Sequence, residues 1–539
     1  MLTTAGLGLG VGDLIWRILQ RLTPTCVPLE GDRTHARLLG AALGLAYGRQ
    51  IFMSFFYNDE VRYFAVVNQN WGKTAHWLIE PINEHFQPLA KLVYVLTCNI
   101  WGIDDYFGLA LIAFVAGVLL IVASYALVCV VTQSPLLALL IAGAFATIFN
   151  LADVYQYKAA GFPLQVSMSF LLLSLLWIQR PPENMINGEG RRWGIQLSLY
   201  LAITVFFSSL ITLPFFYLLP FLATAPWRSV SVSAPRRRSR FLVLAMAFIL
   251  SAVYYVTRWQ LKVPSPQHFH GLESNQLVQM IASFAGYHFS MPRAVASILG
   301  GTILICAAVT TLLLVRYRQF AEGVTGRLAL ILVGLLILIL SPLQLYVGRG
   351  FQLAGEGVHR YEIFPLLGAF CVVGGVFSLL PMPAAPRHLS LGLSGLLLAL
   401  ATWSHFRLDH ISPWPIQFCN EVNRHRREFF NDLAAAIREI GYYNLTHYGY
   451  DRMSESVAFP DFTLGDNAMV LDPTYPLHFY ARATASSDYD TVFTPFAAPE
   501  AAWPALVSEG QNFPESLNFL RRYYPRQTAQ LSPSPDRTR

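Results

Sequence analysis

Charge is scarce in this sequence. Only 13% of its 539 residues are Asp, Glu, Lys or Arg, about half the share in a water-soluble domain, while 54% are hydrophobic and the mean hydropathy is +0.43. That balance excludes a string of ordinary soluble domains. Cysteine is sparse too. Of the six, Cys98, Cys129, Cys306 and Cys371 stand in apolar stretches, so no disulfide framework is indicated and they read as small core residues. No CxxC, no HExxH and no glycine-rich loop ending in Lys-Ser or Lys-Thr occurs. Local zinc binding and nucleotide hydrolysis therefore have no signature. The net charge of +6 does not argue for nucleic acid here, because excess Lys and Arg in a polytopic membrane protein marks its cytoplasmic loops. The segment from Met1 to Pro24 lacks the basic start of a cleavable signal peptide and reads as an amphipathic stretch at the membrane interface.

What the sequence does have is apolar runs of membrane-spanning length. A span needs about 20 such residues, because in hydrocarbon a helix must satisfy its own backbone. Eleven candidates follow: Leu38 to Tyr57, Tyr106 to Val131, Pro135 to Leu151, Phe162 to Ile178, Trp193 to Ser209, Ile211 to Ala225, Phe241 to Trp259, Ala294 to Val315, Leu328 to Val347, Ile363 to Leu380 and Leu389 to Phe406. The pair around Ser208-Ser209 reads either as a tight hairpin or as one bent helix. With the N-terminus in the cytoplasm, sixteen arginines fall on the cytoplasmic side, including the RRRSR run at 236–240, against nine basic residues in the opposite short loops. The positive-inside rule favours that orientation. The expected architecture is an all-α polytopic membrane protein. It has a cytoplasmic or interfacial segment at 1–37, a transmembrane domain at 38–406 and a small external domain at 407–539.

The external loops carry the chemistry. The first span ends in YNDEVRY, placing Asp59 and Glu60 at an external helix mouth. Almost fifty residues follow that never become fully hydrophobic, and two helices lying along the membrane surface account for them better than another hairpin. Glu84, His85 and Asp153 map to the same face, so separate loops bring acids and an imidazole toward one place. Proton abstraction or metal binding needs that convergence. Each also has a plainer reading: interfacial carboxylates are often just solvated, and Asp153 equally suits a helix end paired with Lys158. In GRGFQLAGEGVHRYEIF, Arg349, Glu356, His359, Arg360 and Glu362 crowd a loop containing four glycines. A guanidinium at headgroup depth suits a phosphate, which it grips through parallel hydrogen bonds, though an arginine can also snorkel to lipid headgroups. Arg49 lies inside the first span, where charge is usually interior-facing.

This arrangement resembles the membrane glycosyltransferases of the GT-C superfamily, which include protein O-mannosyltransferases and lipid A aminoarabinose transferases. The resemblance rests on the acidic pair Asp59-Glu60 opening the first external loop, the element His85-Phe86-Gln87-Pro88-Leu89, and the Trp101-Gly102 boundary before the second span. Asp153 after the third span and Arg360-Tyr361 entering a late helix complete it. It covers roughly residues 38 to 380. Two departures stand out: Asp104-Asp105-Tyr106 replaces the arginine that commonly opens the second span, and Ser208-Ser209 replaces the lysine often found between the fifth and sixth.

The resemblance implies transfer of a sugar from a polyprenyl-phosphate carrier to an external glycan, lipid or protein acceptor, with membrane lipids as further partners. Asp59 and Glu60 would be the catalytic pair. Glu84, His85, Arg349, Arg360 and Tyr361 would bind substrate, and Asp59 with Asp153 would offer hard oxygen ligands to magnesium or manganese. A bacterial inner membrane is the expected location, with the C-terminus external. A flippase of lipid-linked saccharide and a non-enzymatic assembly subunit are the rival classes. Transport would favour ionisable residues at the membrane midplane and an inverted repeat.

Overall fold

A computed structural model describes residues 2–23, 32–53, 71–79, 86–101, 107–132, 134–147, 154–155, 158–178, 188–224 and 363–379, short helical pieces within 245–260, 331–338 and 392–403, and residue 518. The described residues contain helices and no strand. In chain order the elements are α1 (Leu2–Leu22), α2 (Asp32–Leu43), a π-helical turn (Gly44–Gly48), α3 (Arg49–Met53), α4 (Trp71–Ile79), α5 (Pro88–Trp101) and α6 (Phe107–Thr132). They continue with α7 (Pro135–Thr147), α8 (Lys158–Ile178), α9 (Gly188–Thr224) and α10 (Ile363–Leu379). Three stretches are long and apolar enough to cross a membrane: Leu2–Leu22, Phe107–Val130 and Gly161–Ile178.

Helix α6 is apolar all round, and its central residues from Leu120 to Val128 are buried on every side. Such a helix belongs in the middle of a bundle. Around it α1, α2, α7 and α8 pack closely, and α8 also runs against α9. Ser167 Oγ donates to the Thr204 carbonyl at 2.8 Å across the α8–α9 seam. The Trp177 and Trp193 indoles each donate to the other's carbonyl, at 3.0 and 3.1 Å. These pairs make α8 and α9 antiparallel.

The N-terminal segment, expected from its sequence as an amphipathic stretch, is helical. It forms a 21-residue helix whose stretch from Thr4 to Asp13 lies antiparallel to α2 and the π-helical turn. A Cβ added to Gly8 would stand 2.1 Å from the Gly40 carbonyl oxygen, and one on Gly12 would stand 2.4 Å from the Ala36 oxygen. Thr4 fills the corresponding place against Gly44 and Gly48. Small residues four apart on both helices let the backbones touch, the usual packing of helices in lipid. Outward-facing Leu2, Leu9, Leu14 and Ile18 are exposed.

Helix α9 is continuous over 37 residues, with Pro214 and Pro220 in its second half, where each removes a backbone donor and favours a bend. Of the two readings of residues 193–225, the continuous helix is the one observed. No glycine or proline stands between Ile195 and Leu213 to stop it. A short helical piece within 245–260 packs beside α9. Ser198 Oγ lies 3.2 Å from Met246 Sδ, and Phe86 contacts both Phe206 and Tyr254. Residues 246–254 therefore run parallel to 198–206, starting from the end of α9 that bears Arg191 and Arg192.

Candidate functional site

These packings give the bundle two ends. At the first, Gln196 Nε2 donates to the Leu22 carbonyl at the close of α1, at 2.9 Å. The tryptophan clasp, Arg191 and Arg192 lie at the same end, as do Arg17, Arg33 and Arg37 around Asp13. Here the Tyr125 hydroxyl donates to Asp32 Oδ1 at 2.6 Å, so the contact of 2.9 Å to His35 Nδ1 has the imidazole as donor. Burial holds the His35 pKa below its ordinary value, against the pull of Asp32.

At the opposite end lie α4 and α5. Phe86 and Gln87 are buried leading into α5, whose first residue is Pro88, where a missing backbone N–H costs nothing. Phe86 lies against Phe206 and Tyr254, and Tyr94 sets its ring edge-on to Phe162. Aromatic packing thus fixes α5 to α8 and α9. With 14 residues, α5 is about 21 Å long and too short to cross hydrocarbon. Near its end Ile100 is 69% exposed and Trp101 is also exposed, as at a lipid boundary.

On its inner side α5 holds Lys91, whose side chain is completely buried. The ammonium donates to the Trp77 carbonyl at 2.8 Å and lies 4.4 Å from the centroid of a Trp77 ring. The carbonyl belongs to the last turn of α4, the negative end of a helix dipole. The π face adds a second attraction. By the sequence Lys91 is one of the nine basic residues assigned to the short external loops. The missed signal was a single lysine amid apolar PLAKLVYVL, six residues after His85.

Asp59, Glu60, Glu84, His85, Asp153, Arg349, Arg360 and Tyr361 all lie outside the described residues. Described residues flank three of their segments. Phe52, shortly before Asp59, contacts Phe107 and Phe114 of α6, with Phe107 roughly 27 Å along the helix from Tyr125. Phe86, next to His85, meets Phe206, roughly 20 Å along α9 from Trp193. Val154, next to Asp153, accepts from Gln165 Nε2 at 3.4 Å, roughly 20 Å along α8 from Ile178. These flanks sit away from the arginine end. Arg49 is partly buried at the start of α3. Among the described residues no group of three His, Cys, Asp or Glu side chains could hold a metal ion, and Asp59 and Asp153 are not among them.

No family model and no curated protein matches this chain. Among solved structures it is similar to the crystal structure of ArnT from Cupriavidus metallidurans bound to undecaprenyl phosphate. The identity is 14%, the match covers 84% of this chain and 78% of that one, and the TM-score is 0.38.

Proposed function

We propose that this chain is an integral membrane glycosyltransferase of the GT-C kind, taking a sugar from a polyprenyl-phosphate carrier at the external face of a bacterial inner membrane. The observation that carries the reading is the separation of the two ends. The described arginines gather at one, while the flanks of Asp59, His85 and Asp153, together with buried Lys91, sit away from it. By the positive-inside rule the arginine end is cytosolic. The candidate chemistry then faces outward, at the depth where a lipid carrier presents its phosphate.

In the proposed reaction Asp59 takes the proton of the acceptor hydroxyl as that oxygen attacks the anomeric carbon. The bond from carbon to carrier phosphate breaks, and the phosphate leaves with the electron pair. Direct displacement inverts the anomeric configuration. Glu60 or Glu84 orients the acceptor, with His85 beside them. Arg360 meets the charge that develops on the departing phosphate, supported by Arg349, Tyr361 and the fixed ammonium of Lys91. Asp59 and Asp153 would hold magnesium or manganese, which would supply Lewis acidity to the phosphate. The 407–539 segment would stand outside, near the acceptor.

The test is transfer from a labelled polyprenyl-phosphate sugar by purified protein in lipid. Asp59→Asn and Arg360→Ala should each lower the rate by about 100-fold or more with elution and melting unchanged, in line with loss of a general base or of a preorganised charge. Normal transfer by both variants would discard the assigned roles. Carrier movement across vesicles without transfer would support the flippase instead.

A further inference from the structure

The arginines level with the start of α2 outnumber the acid that holds them. Arg33 donates to Asp13 through both Nε and Nη2, the latter at 2.8 Å. Arg37 Nε and Arg17 Nε each lie 3.0 Å from a carboxylate oxygen of the same aspartate. The Asp13 side chain is 14% exposed, whereas the three arginine side chains are 39% to 57% exposed. The carboxylate is thus tucked between the helices while the guanidiniums fan outward. Within these described ion pairs one negative charge against three leaves a surplus of two. Each guanidinium has five N–H donors, and Asp13 takes one or two of them.

The surface beside this cluster is apolar. Leu14 is 58% exposed and Ile18 is 43% exposed, and with Arg17 they occupy one face of α1 at helical spacing. Farther up the same face comes Gly10, where nothing stands within 4 Å of an added Cβ, leaving a shallow notch in the helix surface. A cationic patch opening onto an apolar lane matches a molecule with a charged head and a hydrocarbon tail.

We propose that this cluster binds one anionic phospholipid. Its phosphodiester would lie among Arg17, Arg33 and Arg37, and one acyl chain would run along Ile18, Leu14 and the notch at Gly10. A soluble phosphate would satisfy the guanidiniums but make no use of the lane. A zwitterionic lipid would fill the lane but bring its own cation to the arginines. The proposal rests on α1 lying in the bilayer and not on the transfer reaction, so the two can fail separately.

The test titrates purified full-length protein in detergent with phosphatidylglycerol, phosphatidylcholine or inorganic phosphate and counts retained adducts by native mass spectrometry. Phosphatidylglycerol should be retained at least fivefold over phosphatidylcholine, and rising salt should weaken that preference. The double variant Arg17→Gln/Arg37→Gln keeps the Arg33–Asp13 fork and should lose the preference, while Arg17→Lys/Arg37→Lys should keep most of it. Equal retention of both lipids by the unaltered protein would overturn the proposal without recourse to any variant. So would unchanged preference in a folded double glutamine variant, and phosphate competing as well as lipid would show a site for soluble anions.

Discussion

At the arginine end, Asp13 sits among three guanidiniums that stay largely in contact with the surroundings, whereas at the opposite end the ammonium of Lys91 is wholly buried against a carbonyl and an indole. The first arrangement places charge where headgroups and water already stabilise it. The second removes a charge from water, which costs several kcal/mol before any partner is counted. Partnered surface charge is inexpensive and sets sidedness. Buried charge is retained in membrane proteins chiefly where function needs it. In the proposed reading the arginines orient the bundle and Lys91 serves the transfer.

The largest effect on this contrast should come from the backbone contact that builds the arginine end. Gly8→Leu or Gly40→Leu forces a side chain into a space where even a Cβ meets backbone at 2.1 Å. The neighbour is a carbonyl and cannot rotate away as a side chain could. The hairpin must separate, and the cost should exceed the roughly 1–3 kcal/mol of ordinary overpacking. Little folded protein should survive extraction, as read by size-exclusion chromatography. Gly10→Leu, on the open face of the same helix, should be recovered normally. Equal recovery of Gly8→Leu would mean that the two helices do not touch there.

Next comes Lys91. Lys91→Met removes the cost of keeping an ammonium out of water but leaves the Trp77 carbonyl without its donor, and the two effects oppose each other. The variant should therefore melt within a few degrees of the parent, a difference of about 1–3 kcal/mol at most, while losing at least tenfold in transfer rate. A fall in melting temperature with transfer intact would reverse the assignment and make the lysine a clamp between α4 and α5.

The sequence made the long elements legible and the fine placement only in part. The expected spans starting at Tyr106, Pro135, Phe162 and Ile363 correspond to α6, α7, α8 and α10, because an apolar run of that length admits few conformations in lipid. Two surface helices were also expected where α4 and α5 occur. Helix α1 was harder to read. Gly8 and Gly12 look like weak helix formers until Ala36 and Gly40 come to lie against them, and that pairing is tertiary. Lys91 was obscured for a related reason: sequence shows that a lysine follows Leu89-Ala90, but not that Trp77 folds over it. The candidate site was legible as motifs, Asp59-Glu60 and Arg360-Tyr361 above all. Their convergence depends on segments outside the described residues.

A smaller effect tests the neutral histidine at the arginine end. Its folded pKa is depressed, so the folded state binds fewer protons than the unfolded one between that value and the ordinary one near 6.5. Its contribution to stability is complete above the ordinary value and is lost as pH falls through the folded one. Tyr125→Phe removes the hydroxyl that accepts from His35 Nδ1 and donates to Asp32, at a cost of about 1–3 kcal/mol for groups left unsatisfied. Melting between pH 7.5 and 5 should show the parent losing stability on acidification. His35→Gln should flatten that slope, and a slope unchanged by the substitution would place the titrating group elsewhere.

The smallest effect on stability should be at Arg37, and it is informative for that reason. Its side chain is 45% exposed and gives one N–H to Asp13, which keeps both bonds from Arg33. Exposed ion pairs of this kind contribute little, so Arg37→Ala should shift the melting temperature by no more than about 2 °C. The same substitution removes one of three cations facing the proposed lipid phosphate and should lower phosphatidylglycerol retention measurably. A residue that only braced the hairpin would move both readings together, and one that only decorated the surface would move neither. Loss of lipid with melting unchanged would identify this arginine as part of a binding surface, and would sharpen the contrast with Lys91, where substitution should spare the fold and stop the transfer.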